Sequence, residues 1–337
     1  MINLYSDTQT RPTAAMREAM ASAEVGDEQS FLDPTVNELC ARVAELLGKE
    51  AAVFLPSGTM CNAIAFRLHV GPGGDEVYLH RRSHPIVAEA GGPAAISGAV
   101  LSPLDGEGGM FTAGALRAAL RPPDRYLPRS RLVSVEQTTN LSGGHVWPWE
   151  QLSEVVEVAR DAGLRLHMDG ARLMNAVVAS GRSAAAWASG FDTAWVDFSK
   201  GLGAPVGACL AGSRELIDEA WRYKQMWGGA MRQAGVIAAA GLYALDHHVD
   251  RLADDHGNAR RLAEGLAEID GITIDPATVE TNIVVFGVTE ADAFCAALEA
   301  EGVRMGTLGA DSIRAVTHLD VDADGIEQAI AAVARTR

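Results

Sequence analysis

The chain has 337 residues, is 48% hydrophobic and 21% charged, and carries a net charge of −16. This length and composition describe a folded protein with a large buried core and exclude a disordered chain. The negative charge argues against nucleic acid and anionic membrane surfaces as partners, while leaving room for a small anionic ligand in a locally basic site.

Residues 1–7 contain neither a basic n-region nor an apolar h-region, so no signal peptide is expected and a cytoplasmic location is predicted. The longest apolar stretch, 236–245, is too short to span a bilayer. Cysteines 40, 61, 209 and 295 form no C-x-x-C pair, which predicts reduced thiols and no structural metal. Short apolar runs predict strands at 52–56, 76–79, 100–104, 131–136, 165–168, 194–198 and 208–211. Helical patterns lie between them. At 151–162, Leu152, Val155, Val156 and Ala159 recur on one face, and Gly163 stands as a C-terminal stop. Alternating strands and helices imply an α/β fold with a mainly parallel, seven-stranded sheet whose ligands sit at the carboxyl ends of the strands. After Gly241 the texture changes. A polar helix is expected at 247–266, then a strand near 282–286, a helix near 290–301, a strand near 312–315 and a last helix at 322–335. This pattern divides the chain into a large domain, 1–246, and a smaller C-terminal α/β domain, 247–337.

Along this order the chemically informative residues fall at strand ends. Pro56-Ser57-Gly58-Thr59 follows a strand and opens a helix, so it reads either as a plain helix cap or as an anion site built from backbone N–H groups and two hydroxyls. It is neither a Walker motif nor G-x-G-x-x-G. His84, beside Pro85, is either a surface histidine or a planar group for a ligand ring. Asp169, in H-M-D-G-A-R, ends another strand; it can form an ion pair, cap a helix or face a cationic ring nitrogen, with Arg172 helping to keep it ionised. Lys200, in S-K-G-L-G-A-P-V-G, is one of three lysines beside 25 arginines, about 31 residues after Asp169. Lysine can lose its proton and form an imine, whereas arginine cannot. Arg232, after a glycine pair, reads as a surface residue or a phosphate contact, and Arg314 as a surface residue or a fork for a substrate carboxylate. Anion site, carboxylate and lysine, in this order, match the phosphate, ring nitrogen and aldehyde of pyridoxal 5′-phosphate.

Blocks spread along nearly the whole chain carry a resemblance. They include S-D-T-Q-T-R-P (6–12), D-P-T-V-N-E-L (33–39), L-L-G-K-E-A-A-V-F-L-P-S-G-T-M-C-N (46–62), H-M-D-G-A-R-L-M-N-A (167–176), S-K-G-L-G-A-P-V-G (199–207), M-R-Q-A-G (231–235) and R-A-V-T-H-L (314–319). The chain resembles the L-threonine aldolases, pyridoxal-phosphate lyases of fold type I. The resemblance implies Lys200 as the Schiff-base lysine and Asp169 as the partner of the ring nitrogen. It places Ser57, Gly58 and Thr59 at the phosphate and His84 on the ring face. Arg172, Ser6 and Arg314 fall around the ring hydroxyl and the substrate carboxylate. Arg232 matches a phosphate contact supplied across a subunit interface, which implies a homotetramer built from tight dimers with active sites at the interface. Two substrate positions depart from the family pattern: Ser30 stands where a tyrosine is usual, and Thr139, in E-Q-T-T-N, where a histidine is usual. The implied reaction is cleavage of a β-hydroxy-α-amino acid to glycine and an aldehyde, with His84 as candidate base. The alternative is β-elimination with release of ammonia and a 2-oxo acid.

Overall fold

The computed structural model describes residues 1–336. Twelve strands follow in chain order: β1 (Ile2–Asn3), β2 (Ala51–Leu55), β3 (Glu76–His80), β4 (Val100–Leu104), β5 (Ser130–Glu136), β6 (Arg165–Asp169), β7 (Thr193–Asp197), β8 (Ala208–Gly212), β9 (Ile283–Gly287), β10 (Val303–Arg304), β11 (Gly306–Gly309) and β12 (Ser312–Val316). Seven of them form one sheet in the order β2-β8-β7-β6-β5-β3-β4. The pairs among β3 to β7 are parallel, and β8 runs antiparallel to both its neighbours. The reversal has a local cause. Only residues 198–207 join β7 to β8, too few for a crossover helix. The chain turns back within them through Gly203 and Gly207, at φ +76° and +113°. Lys200 rides on this turn.

All seven large-sheet strands lie where the apolar runs predict them, and helices cover both faces. The helix Trp149–Asp161 shows why: its buried residues Leu152, Val155, Val158 and Ala159 form one stripe against the sheet. Val156, predicted on that stripe, is only partly buried at its edge.

The C-terminal region has its own apolar cluster, including Leu262, Leu266, Phe286, Ile313 and Ile326. Its sheet has the order β11-β12-β9 and is antiparallel. One expectation is corrected here. The polar helix starts at Leu252, because the helix Gly235–His247 ends first. Between them His248 turns inward and bonds the Leu202 carbonyl through Nδ1 at 2.7 Å. The N-terminal arm begins on the C-terminal region. There β1 pairs in parallel with β10, and Leu4 is fully buried in the C-terminal cluster.

Candidate active site

A cavity of about 300 Å³ opens at the carboxyl ends of the large-sheet strands. Ser6, Ser57, Gly58, Thr59, His84, Asp169, Arg172, Lys200 and Arg314 all line it. Residues separated widely in sequence therefore meet in one space.

Lys200 is held from both sides. Thr10 donates its hydroxyl to the Lys200 carbonyl at 2.9 Å. Asp197, the last residue of β7, accepts from the Ser199 N–H and hydroxyl at 2.8 and 2.7 Å through one oxygen. Its other oxygen pairs with Lys200 Nζ, which lies 5.6 Å from the Trp195 ring centre. Asp169 ends β6 and is buried. Asn62 donates to its Oδ2 at 2.8 Å and the Ala171 N–H to its Oδ1 at 3.1 Å. Among the described residues no cation pairs with it. Burial raises its pKa, opposed chiefly by the Asn62 hydrogen bond.

The helix Gly58–His69 points its N-terminus at the cavity, with Ser57 Oγ accepting from the Met60 N–H at 3.2 Å. The Gly58 and Thr59 N–H groups precede the first possible intrahelical acceptor and face the cavity with the positive end of the helix dipole. Position 58 has to be glycine, since a Cβ there would lie 2.2 Å from the Trp195 ring. His84 Nδ1 bonds Glu89 at 2.8 Å, and this contact raises the histidine pKa.

Arg172 departs from expectation. Its guanidinium does not reach Asp169; it grips Asp7 with two bonds of 2.8 and 2.6 Å. Burial would raise the Asp7 carboxyl, but Arg172 outweighs it and holds the group at about 2. Arg314 donates to Asn140 Oδ1 at 2.7 Å and faces the Tyr5 carbonyl at 3.4 Å, with no carboxylate partner among the described residues. Ser6 caps the turn Asp7–Gln9, accepting from the Thr8 N–H at 3.2 Å.

Three predicted site residues lie elsewhere in this chain. Thr139 is buried off the cavity wall, its backbone N–H donating to the His145 carbonyl at 3.1 Å. Its neighbour Asn140 takes the place on the wall. Ser30 and Arg232 sit on an exposed shelf outside the cavity, where Arg232 pairs with Asp27 at 2.9 Å. The shelf is locked from below by the buried Glu28–Lys224 pair at 2.8 Å.

Sequence reasoning missed Asn62, Glu89, Glu136, Asn140 and Asp197. Asn62 stands one turn after Gly58 on the same helix, and that spacing was its available signal. Glu136, at the end of β5, lines the cavity; burial, then repulsion from Asp169, pushes its carboxyl up to about 8. The cavity thus offers free N–H groups to a phosphate, a carboxylate without an ion-pair partner to a cationic ring nitrogen, an amine to an aldehyde and a guanidinium without a carboxylate partner to a carboxylate. Pyridoxal 5′-phosphate with an amino acid fits this donor and acceptor set.

Comparison with known proteins agrees with this chemistry. The model of the beta-eliminating lyase family matches residues 3–289. The low-specificity L-threonine aldolase of Escherichia coli K12 is 40% identical over 332 residues, covering 98% of each chain. Low-specificity L-threonine aldolase 1 of Arabidopsis thaliana is 40% identical over 325 residues, covering 94% of this chain and 91% of its own. Among solved structures, a threonine aldolase of Leishmania major shares the fold at a TM-score of 0.86 and 19% identity, covering 99% of each chain. Serine palmitoyltransferase of Sphingomonas wittichii does so at 0.78 and 20%, covering 99% of this chain and 86% of its own. By fold, motif and full-length similarity, the chain belongs to the beta-eliminating lyase family, within its threonine aldolases of fold type I.

Proposed function

We propose that this carbon–carbon lyase cleaves L-threonine, allo-threonine and related β-hydroxy-α-amino acids to glycine and an aldehyde, with pyridoxal 5′-phosphate held in the cavity. The observation that carries the reading is the meeting, in one cavity, of Lys200, the cation-free Asp169 and the free N–H groups of the Gly58–His69 helix.

In this reading Lys200 Nζ would hold the cofactor through its aldehyde. Asp169 faces the ring nitrogen and keeps a proton there. Ser57, Gly58 and Thr59 hold the phosphate, and His84 covers a ring face. The bound cofactor supplies an electron sink for the bond being broken. Arg314, steadied by Asn140, takes the substrate carboxylate in a fork, with Ser6 and Arg172 at its side. Gripping the carboxylate orients the Cα–Cβ bond for cleavage. His84, in its neutral form, takes the proton from the β-hydroxyl oxygen. The aldehyde departs, and a proton delivered to Cα completes glycine.

We also propose a homotetramer of tight dimers in the cytoplasm. Supporting the assembly, Arg232 and Ser30 lie on an exposed shelf with Phe31 and Leu32, which are 61% and 70% exposed. On this reading the shelf meets a neighbouring copy, where Arg232 reaches the phosphate. Four free thiols support the location.

The test is a product assay on threonine and allo-threonine, measuring glycine and acetaldehyde beside ammonia and 2-oxobutanoate. Glycine and aldehyde are expected in equal amounts, and Lys200→Ala should lose the visible absorbance of the bound cofactor. Predominant ammonia and 2-oxo acid would instead establish the eliminating reaction.

A further inference from the structure

Behind Asp169 the interior of the sheet contains a continuous run of polar side chains that the reaction does not touch. Trp195 Nε1 lies 2.8 Å from Asn62 Oδ1. An indole nitrogen only donates, so this contact fixes the orientation of the Asn62 amide. Asn62 Nδ2 then spends its two hydrogens on two carboxylates, Asp169 and Glu89, each at 2.8 Å. Asn62 Oδ1 also faces His167 Nε2 at 3.1 Å, and an oxygen there requires the imidazole nitrogen to donate. Burial lowers the pKa of His167 to about 3 and that of His69 to about 4, so both rings are neutral near pH 7. With its proton on Nε2, neutral His167 has a bare Nδ1, which accepts from the Thr193 hydroxyl at 2.8 Å. Thr193 Oγ1 has then given its hydrogen and accepts from His69 Nε2 at 3.0 Å. His69 ends at a cleft on the opposite end of the sheet, beside Arg131 and Arg165.

We propose that this string, running His69 to Thr193 to His167 to Asn62 to Asp169, acts as a one-way line of donors that positions the Asp169 carboxylate and keeps it anionic. Every bond points its hydrogen toward Asp169. Such alignment lets each bond polarise the next, so the last donor is stronger than an isolated amide. The need is physical: Asp169 is buried with three other carboxylates, Glu89, Glu136 and Asp197, on or beside the same cavity, and burial favours its neutral form. Asn62, His167 and Thr193 are positioning residues in this assignment. The proposal rests on the reading that Asp169 faces the ring nitrogen of the cofactor.

Two measurements test it. Neutron diffraction from the deuterated full-length protein should show deuterium on Nε2 of both His167 and His69, with the Thr193 hydroxyl aimed at His167 Nδ1. Deuterium on His167 Nδ1 overturns the string whatever the cofactor does. Titration with pyridoxal 5′-phosphate, read by visible absorbance, should show Thr193→Val weakening cofactor binding about three- to tenfold, the range expected for one net hydrogen bond. Thr193→Ser, which keeps the hydroxyl, should restore it. Asp169→Asn serves as the separating control. If it weakens binding while Thr193→Val does not, the string falls and the role of Asp169 stands. If Asp169→Asn binds as wild type does, both fall. Should Thr193→Val fail to fold, the neutron result decides alone.

Discussion

Replacing Asp7 by asparagine tests how the N-terminal arm is fastened to the active site. The side chain is 0% exposed and receives two bonds from Arg172, itself 3% exposed. Against its ordinary value of 3.8 the Asp7 carboxyl sits at about 2. A shift of about two units corresponds to roughly 2.5 kcal/mol favouring the ionised, folded form at pH 7. Asparagine keeps the shape and one acceptor oxygen but removes the charge, leaving the Arg172 guanidinium buried and uncompensated. Breaking a buried ion pair in this way costs about 3–5 kcal/mol. With one acceptor retained, the expected loss is about 2–4 kcal/mol. Because the folded value lies below the unfolded one, the stabilisation is complete above about pH 4 and disappears as pH falls through about 2. Equilibrium urea unfolding of the cofactor-free protein, at one fixed concentration, should show this loss at pH 7, and the gap to wild type should close toward pH 2. A variant within about 0.5 kcal/mol of wild type at pH 7, the range of ordinary surface substitutions, would refute the reasoning.

Arg314→Ala should lower kcat/KM for threonine by about a hundredfold, the loss of a charge-assisted fork, while leaving cofactor absorbance unchanged; an unaltered KM would count against the carboxylate assignment. Glu136 is an acid whose folded pKa, about 8, lies above its unfolded value of 4.5, so its proton is bound more tightly when folded. Stability should therefore fall as pH rises between these values, with a slope approaching about 1.4 kcal/mol per pH unit, and Glu136→Gln should flatten it in melting experiments on the cofactor-free protein. Glu89→Gln removes the largest influence raising the His84 pKa. If neutral His84 is the base, the acidic limb of the kcat profile should move to lower pH, and an unmoved limb would argue for another base.

Much of the fold could be read from the chain because its strands are short apolar runs punctuated by glycine and proline, such as A-V-F-L-P before Ser57. The pieces that escaped had no such signal. β10 is Val-Arg and β11 is Gly-Thr-Leu-Gly, too short and too mixed to show a period. The residues at strand ends were legible because chemistry and spacing coincided at Ser57-Gly58-Thr59, Asp169 and Lys200. Partners were not. Arg172 stands three residues from Asp169, yet it pairs with Asp7, 165 positions away. Nothing local distinguishes those two carboxylates; the arm's path does. Thr139 and Asn140 are adjacent, and long-range contacts separate them: the Thr139 backbone bonds to His145 and Gly144, while Asn140 accepts from Arg314 at the cavity.

That arm has a dynamic consequence. In the proposed function the wall that takes the carboxylate joins the Tyr5 carbonyl to Arg314, 309 positions away, whereas the wall that takes the cofactor belongs to the large sheet and its helices. The arm is held by a two-residue ladder, the buried Leu4 side chain, the Asp7 pair and single bonds that include Val316 N–H to the Leu4 carbonyl at 2.8 Å, His318 to the Asn3 carbonyl at 2.8 Å and the Thr10 hydroxyl to the Lys200 carbonyl at 2.9 Å. None of these fastenings belongs to the ladder of the large sheet, so they can open without melting it. The Leu4 and Val316 amides should therefore exchange their hydrogens faster than those of β6, and each opening would dismantle the proposed grip on the substrate carboxylate while Lys200 and Asp169 keep their places. On the proposed function the enzyme would have a clasp on its substrate side and a fixed frame on its cofactor side.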